Sequence, residues 1–313
     1  MRVVALVPGG IGEQILLFPT LDDLKRSYPN AQIDVVVEPR SKAAYRVSKS
    51  VNEVLSFDFR DRNSLADWSN LVGIIRDREY DVAITIGRSW LVGLLLWLTG
   101  IPTRIGYQGK GAAFLTKTLP FNPAQYLPAL YHNLLQGFGI QSSCPELAVN
   151  VPKPDIEWAQ KEQQRLGVNE TGYVLIHPGS SQLSPIYPAS SWQQIIQEFQ
   201  QKQPDLPIVL VQTAEDEPIV RSLLESCHHL KVTAPGNIGK LAAIVGGASL
   251  LLTTDSIALQ LSVAVQTYTI ALFGDTEPAQ LLPQSEKFLG IKSATGKLAD
   301  IPPKVILEKV LGG

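Results

Sequence analysis

The opening residues constrain this chain more than any other stretch. An uncharged run, Val3-Val-Ala-Leu-Val7, leads into Pro8-Gly-Gly-Ile-Gly-Glu13 and then Gln14-Ile-Leu-Leu-Phe-Pro19. A short apolar run without charge reads as a fully buried strand, and the glycines after it let the backbone turn sharply into a helix. Open α/β sheets bind ligands beyond the carboxyl ends of their strands. Glu13, the one ionisable side chain at this turn, is therefore placed for chemistry on a substrate. An acid in a first helical turn also complements the positive end of the helix macrodipole, so both readings of Glu13 stand.

The same alternation continues along the chain. Gln32–Val37, Glu53–Phe57 and Val82–Ile86 read as strands, with Arg104-Ile-Gly-Tyr107 as the last short strand of the first half. Helical patterns fall between them, to Tyr28, from Ser41, over Asn63–Arg78, from Arg88 and over Tyr126–Phe138. Between Cys144 and Asp155 the periodicity lapses around Pro145, Pro152 and Pro154, which is how an interdomain linker reads. The second half repeats the pattern, with strands at Tyr173–His177, Pro207–Val211, Ser249–Thr254 and Tyr268–Phe273. The expected fold is α/β, with two doubly wound Rossmann-like domains, residues 1–150 and 151–313, facing each other across a cleft. The closing helix, Pro303–Leu311, is free to pack back on the first domain.

Charge and composition exclude several classes. A formal charge of −2 leaves no basic footprint for nucleic acid. Cys144 and Cys227 are isolated from each other and from the four histidines, which gives neither a disulfide framework nor a metal site. Glu215-Asp-Glu217 resembles a metal cluster, but three acids at a helix start are the usual complement to the helix dipole. The chain enters its first strand without a signal-like segment, so a cytoplasmic protein is expected. Trp90–Leu98 is about half the length needed to cross a bilayer. It reads as a buried helix or, because tryptophans flank it, as a peripheral contact with the inner face of the cell membrane. Arg88, which opens the apolar helix beyond a strand end, and Arg104, which precedes the Ile-Gly-Tyr107 segment, are candidates for an anionic or phosphorylated acceptor, and equally ordinary helix-end or surface arginines.

Taken together, Gly12-Glu13 with Pro19, Arg104–Tyr107, Ile176-His-Pro-Gly-Ser-Ser181, the Leu241–Asp255 run and Ala271-Leu-Phe-Gly-Asp-Thr-Glu-Pro278 resemble glycosyltransferase family nine. That is the family of the ADP-heptose:lipopolysaccharide heptosyltransferases, and the motifs follow its order over nearly the whole chain. The resemblance implies a GT-B fold and a metal-independent, inverting transfer without a cofactor. A heptose-like sugar would pass from a nucleotide diphosphate, an ADP-sugar, to a cell-envelope glycan or lipid-linked acceptor. It also implies an acceptor-binding first domain, with Gly10, Gly12, Arg88 and Arg104, and Glu13 as general base where the family carries aspartate. The extra methylene moves the carboxylate by about an ångström, a displacement catalysis can feel.

For the donor domain the resemblance implies Gly179, Ser180, Ser181, Asp255, Ser256, Ile257, Gln260 and Gly274. A diphosphate leaving group without a metal needs helix N-terminal N–H groups, hydroxyls and a cation. Gly179-Ser180-Ser181 supplies a phosphate loop, or simply a polar turn from strand to helix. The chain reads Asp255-Ser-Ile-Ala-Leu-Gln260 where the family has Asp-Ser-Gly-Pro, one residue and a histidine, and no Lys or Arg falls between Arg165 and Lys202. One alternative is a degenerate relative that binds glycan or nucleotide without turnover. Another is a dinucleotide-dependent oxidoreductase, suggested by Gly10-Ile-Gly12, with Asp34 and Glu38 as ribose acids but Ile15 at the third glycine position.

Overall fold

The computed structural model describes residues 1–59, 64–179, 186–213 and 215–311. It divides into two compact units, Met1–Asn150 and Val151–Gly313. In the first, among the described residues, strands β1 (Arg2–Val7), β2 (Gln32–Val37), β3 (Glu53–Ser56), β4 (Val82–Thr85), β5 (Thr103–Tyr107) and β6 (Lys117–Leu119) form one parallel sheet in the order β3-β2-β1-β4-β5-β6. Helices α1 (Ile11–Ser27), α2 (Leu65–Asp77) and α3 (Trp90–Leu98) lie between strands, and α4 (Leu127–His132) follows β6.

Val3–Val7 of β1 is wholly buried between β2 and β4, with Leu6 opposite both Val36 and Thr85. A strand covered on both faces has no place for alternating polar residues, which is why its sequence is a continuous apolar run. Val4, Leu6 and Val36 form one core with Leu71 and Ile75 of α2 and Val92, Leu95 and Leu96 of α3. On the other side α1 buries even Asp23, which accepts a hydrogen bond from Ser142 and lies 2.7 Å from His132 Nε2. This buried polar link ties α1 to α4.

The second unit begins with α5 (Lys153–Leu166) and carries β7 (Val174–His177), α6 (Ala189–Lys202), β8 (Ile208–Val211), α7 (Glu217–Ser226) and β9 (Lys231–Thr233). It continues through α8 (Ile238–Gly246), β10 (Leu250–Thr254), α9 (Ile257–Ala264), β11 (Thr269–Phe273), α10 (Pro278–Leu281), β12 (Phe288–Lys292) and α11 (Pro303–Leu311). Its sheet runs β12-β11-β10-β7-β8-β9, all parallel, with the same doubly wound connectivity as the first. Strand order therefore reverses between β1 and β4 and again between β7 and β10, the two places where such sheets open for a ligand. The closing helix lays Ile306 and Leu307 into the core of its own unit, against α6.

Three strands depart from the sequence expectation. β6, β9 and β12 were not anticipated, so Arg104–Tyr107 is not the last strand of its sheet. Lys117-Thr-Leu119, Lys231-Val-Thr233 and Phe288-Leu-Gly-Ile-Lys292 are short and lysine-bearing, as edge strands tend to be, and carry no long apolar run. Two expected helices are also modified. Residues Pro39–Val47 form a 3-10 helix, and the Tyr126–Phe138 segment is α-helical only to His132 before tightening into a 3-10 turn.

Candidate functional site

At the switch point of the first sheet, β1 ends in a loop where Gly9 adopts φ +132°, a backbone that side chains resist. A Cβ on Gly9 would come within 3.1 Å of Glu13 Cγ and Cδ, and one on Gly10 within 3.3 Å of Glu13 Oε2. The Glu13 side chain thus lies back over both glycines. Gly10 is the N-cap of α1 and offers no capping side chain, and Gly12 lies in the first helical turn. Gln14 fixes the loop by donating to Val7 O at 3.0 Å and to Gly10 O at 3.3 Å. Tyr45 donates to Gln14 Oε1 at 2.8 Å, and Ser41 to Gly9 O at 2.8 Å. The phenol of Tyr131 is pushed up by burial, with the Glu13 charge adding to the effect.

The neighbouring strand brings Arg88 to the same edge. Thr85 donates to Leu6 O at 3.1 Å, and Gly87 N–H donates to Thr85 Oγ1 at 2.9 Å. A Cβ on Gly87 would stand 2.9 Å from Pro8, so the chain leaving β4 packs on the β1 loop. Arg88 follows, exposed, with its guanidinium 4.0 Å from the ring centroid of Phe121. Arg104 does not join them. It pairs with Ala83 early in β5, and its guanidinium donates to Phe114 O and Ile101 O, fastening the turn between β5 and β6. Asp34 is likewise structural, accepting from Tyr80 at 2.6 Å and lying 3.5 Å from Arg78.

In the second unit a buried polar chain crosses the switch point. His177, the last residue of β7, places Nδ1 3.0 Å from Ser256 Oγ and Nε2 3.2 Å from Asp216 Oδ2. Thr213 donates to the same carboxylate through Oγ1 at 2.5 Å and through its N–H at 3.3 Å, and Thr253 Oγ1 lies 2.9 Å from Ser256 Oγ. Burial pushes the Asp216 carboxyl up, but the hydrogen bonds from His177 and Thr213 with the His177 charge outweigh it, leaving it below the usual carboxylate range.

This chain of contacts redirects two side chains at helix starts. Ser256 occupies the N-cap position of α9, yet its hydroxyl is turned to His177 and Thr253 and makes no capping bond. Asp216, which reads as decoration of a helix start, sits at the N-cap of α7 without capping it and serves as the partner of His177. The sequence flagged the acidic triplet but carried no signal that its middle member reaches a histidine on another strand. The N–H groups opening α9 are left without a side-chain cap, which is the condition for receiving an anion.

Around this network the remaining donor candidates converge. Thr254 Oγ1 donates to Gly179 O, and a Cβ on Gly179 would fall 1.8 Å from Asp216 Oδ1, so only glycine fits there. Asp255 accepts from Thr276 at 3.0 Å, joining the β10 and β11 loops, and a Cβ on Gly274 would lie 2.7 Å from Gly296 O. Ser180 and Ser181 lie outside the described residues. Ile257 opens α9 without positive φ; among the described residues other than glycine only Glu79, His229 and Gln266 have it. Gln260, one turn on, is buried with no partner for its Oε1. Among the described residues no group of three His, Cys, Asp or Glu side chains is placed to hold a metal ion.

Comparison with known proteins bears on this arrangement. Lipopolysaccharide heptosyltransferase 3 of Escherichia coli is 23% identical over 89% of this chain and 85% of its own length. The photosynthetic NDH subunit of subcomplex B 1, a chloroplastic protein of Arabidopsis thaliana, is 24% identical over 96% of this chain and 71% of its own length. The solved structure of E. coli heptosyltransferase WaaC with ADP-2-deoxy-2-fluoro heptose superimposes with a TM-score of 0.78 at 15% identity, covering 99% of both chains. Such a superposition assigns the fold, a GT-B pair of doubly wound α/β units. The family model described as Glycosyltransferase family 9 (heptosyltransferase) matches residues 68–310. A match over most of the length, on a fold of this type, means that the chain belongs to glycosyltransferase family 9 and is a glycosyltransferase.

Proposed function

We propose that this chain transfers a heptose from ADP-heptose to a cell-envelope glycan or lipid-linked acceptor at the inner face of the membrane. The acceptor belongs to the first unit and the donor to the second. The observation that carries this reading is the Glu13 carboxylate laid over Gly9 and Gly10 at the first switch point. There Glu13 takes the proton of the acceptor hydroxyl while that oxygen attacks the anomeric carbon. The bond from that carbon to the diphosphate breaks, its electron pair leaves with ADP, and a single displacement inverts the configuration. Arg88, held by Phe121, meets an anionic group of the acceptor.

On the donor side the uncapped N–H groups of α9 receive the charge growing on the diphosphate, with Gly179, Asp255, Ser256 and Gly274 around it. The two altered positions also belong to this site: Ile257 adds bulk at the first turn, and Gln260 brings a buried acceptor. Fixed backbone dipoles supply this stabilisation without a metal ion. The family membership and the likeness to an enzyme solved with an ADP-heptose analogue support the choice of donor.

The test is incubation with ADP-heptose and a heptose-deficient envelope glycan, followed by mass spectrometry of the product and measurement of ADP release, with and without EDTA. Transfer that is unchanged by EDTA is expected. Tight binding of ADP-heptose without transfer would overturn the reading in favour of a binding protein that has lost turnover.

A further inference from the structure

Helix α3 presents an apolar face to water. Trp90, Leu91, Trp97 and Leu98 are 50%, 41%, 54% and 48% exposed, and the half-buried Leu94 completes an i, i+1, i+4, i+7, i+8 stripe. The opposite face, Val92, Leu95 and Leu96, is in the core. A contiguous apolar surface of this kind marks an interaction site. Among the described residues no helix is long and apolar enough to cross a membrane, and nine residues suffice only to lie on one.

The surroundings of this face say what it meets. A Cβ on Gly93 would fall 2.6 Å from Gly111 O, and the Trp97 and Phe114 rings are 6.4 Å apart, so the turn carrying Lys110 packs along the helix. Arg88 stands just before the helix and is exposed, as is Lys110. From residue 82 to residue 145 the chain contains Arg88, Arg104, Lys110 and Lys117 but no Asp or Glu, although the whole chain has 29 acids against 27 Lys and Arg. Tryptophan rings favour the headgroup layer, and basic side chains are drawn to anionic lipid. An acid-free segment adds no repulsion.

We infer that α3 docks the protein on an anionic bilayer, with Trp90 and Trp97 in the headgroup layer and Lys110 against lipid phosphates. This deepens the proposed reaction by placing a lipid-linked acceptor beside Arg88, and rests on that reading only for its purpose. Membrane partition requires no turnover, so the two fail separately.

Cosedimentation of the full chain with phosphatidylcholine vesicles, with and without phosphatidylglycerol, tests the inference. Binding that depends on phosphatidylglycerol and weakens with salt is expected. Trp90→Ala with Trp97→Ala should lower the partition about tenfold or more, and Lys110→Glu about fivefold or more. Both variants should retain the wild-type circular dichroism spectrum and transfer to a soluble acceptor. Brominated lipid should quench tryptophan fluorescence in the wild type, and less in the double variant. Failure to bind, equal binding to neutral vesicles, or binding indifferent to both variants would overturn it. So would a concentration-dependent dimer that the tryptophan variants dissolve, which would assign the face to a second copy of the chain.

Discussion

His177 Nε2 stands 3.2 Å from Asp216 Oδ2, and both side chains are buried. The histidine also holds the hydroxyl of Ser256 away from the capping position of α9. His177→Ala should therefore act twice. Taking the imidazole from the buried Asp216 carboxylate, which keeps its bonds from Thr213, is expected to cost about 1–3 kcal/mol, read as a lower urea midpoint. Freeing Ser256 to cap α9 should also weaken ADP binding in calorimetry. A variant as stable as wild type, with unchanged ADP affinity, would show that the network positions nothing.

The two arginines singled out by the sequence have different surroundings and should respond differently. Arg104→Ala strands the carbonyls of Ile101 and Phe114, and a loss of about 1–3 kcal/mol in stability with unchanged acceptor KM is expected. Arg88→Ala should leave stability within about 0.5 kcal/mol, as for an exposed side chain, and raise acceptor KM. Thermal denaturation and steady-state kinetics on both variants separate the outcomes.

Acid should weaken the first unit through Asp23. Burial pushes this carboxyl up, but hydrogen bonds from Ser142, His132 and Arg26 outweigh it and hold the group below the ordinary range. The folded chain then binds that proton less readily than the unfolded chain, where an aspartate titrates near about 3.9. The stabilisation is complete above that value and is lost as pH falls through the lower folded value. Asp23→Asn should be less stable near neutrality and show a flatter fall in stability below about pH 4. Parallel unfolding curves for wild type and variant would contradict this.

The altered donor loop gives a gain-of-function prediction. Ile257 lies in ordinary helical backbone, so its effect on a diphosphate is bulk rather than strain. Gln260 keeps a buried, unpartnered oxygen. Ile257→Gly with Gln260→His should tighten ADP binding by about 1 kcal/mol or more if a charge-assisted hydrogen bond is formed. Calorimetry that shows no gain would mean that the loop serves another ligand.

The parts of this molecule that were legible in the sequence are those set by local pattern. Val3–Val7 had to be a covered strand because nothing in it tolerates water, and the glycines after it marked the turn beneath Glu13. The edge strands β6, β9 and β12 escaped because their stability comes from one neighbour rather than from their own apolar content. The contacts of Ser256 and Asp216 with His177 escaped for a related reason. Both residue types favour helix caps, and local statistics cannot register that a histidine 79 and 39 residues away competes for their side chains. Arg104 shows the converse, since its place before the Ile-Gly-Tyr107 segment suggested an acceptor while the tertiary structure supplied two carbonyls.

The central claim concerns Glu13, and a single-turnover comparison of wild type with Glu13→Gln tests it most directly. The substitution keeps the shape over Gly9 and Gly10 but removes the base. With ADP-heptose affinity and melting temperature unchanged, the transfer rate should fall by roughly two to four powers of ten. Transfer at a near wild-type rate would contradict the account and leave Glu13 as the complement to the dipole of α1.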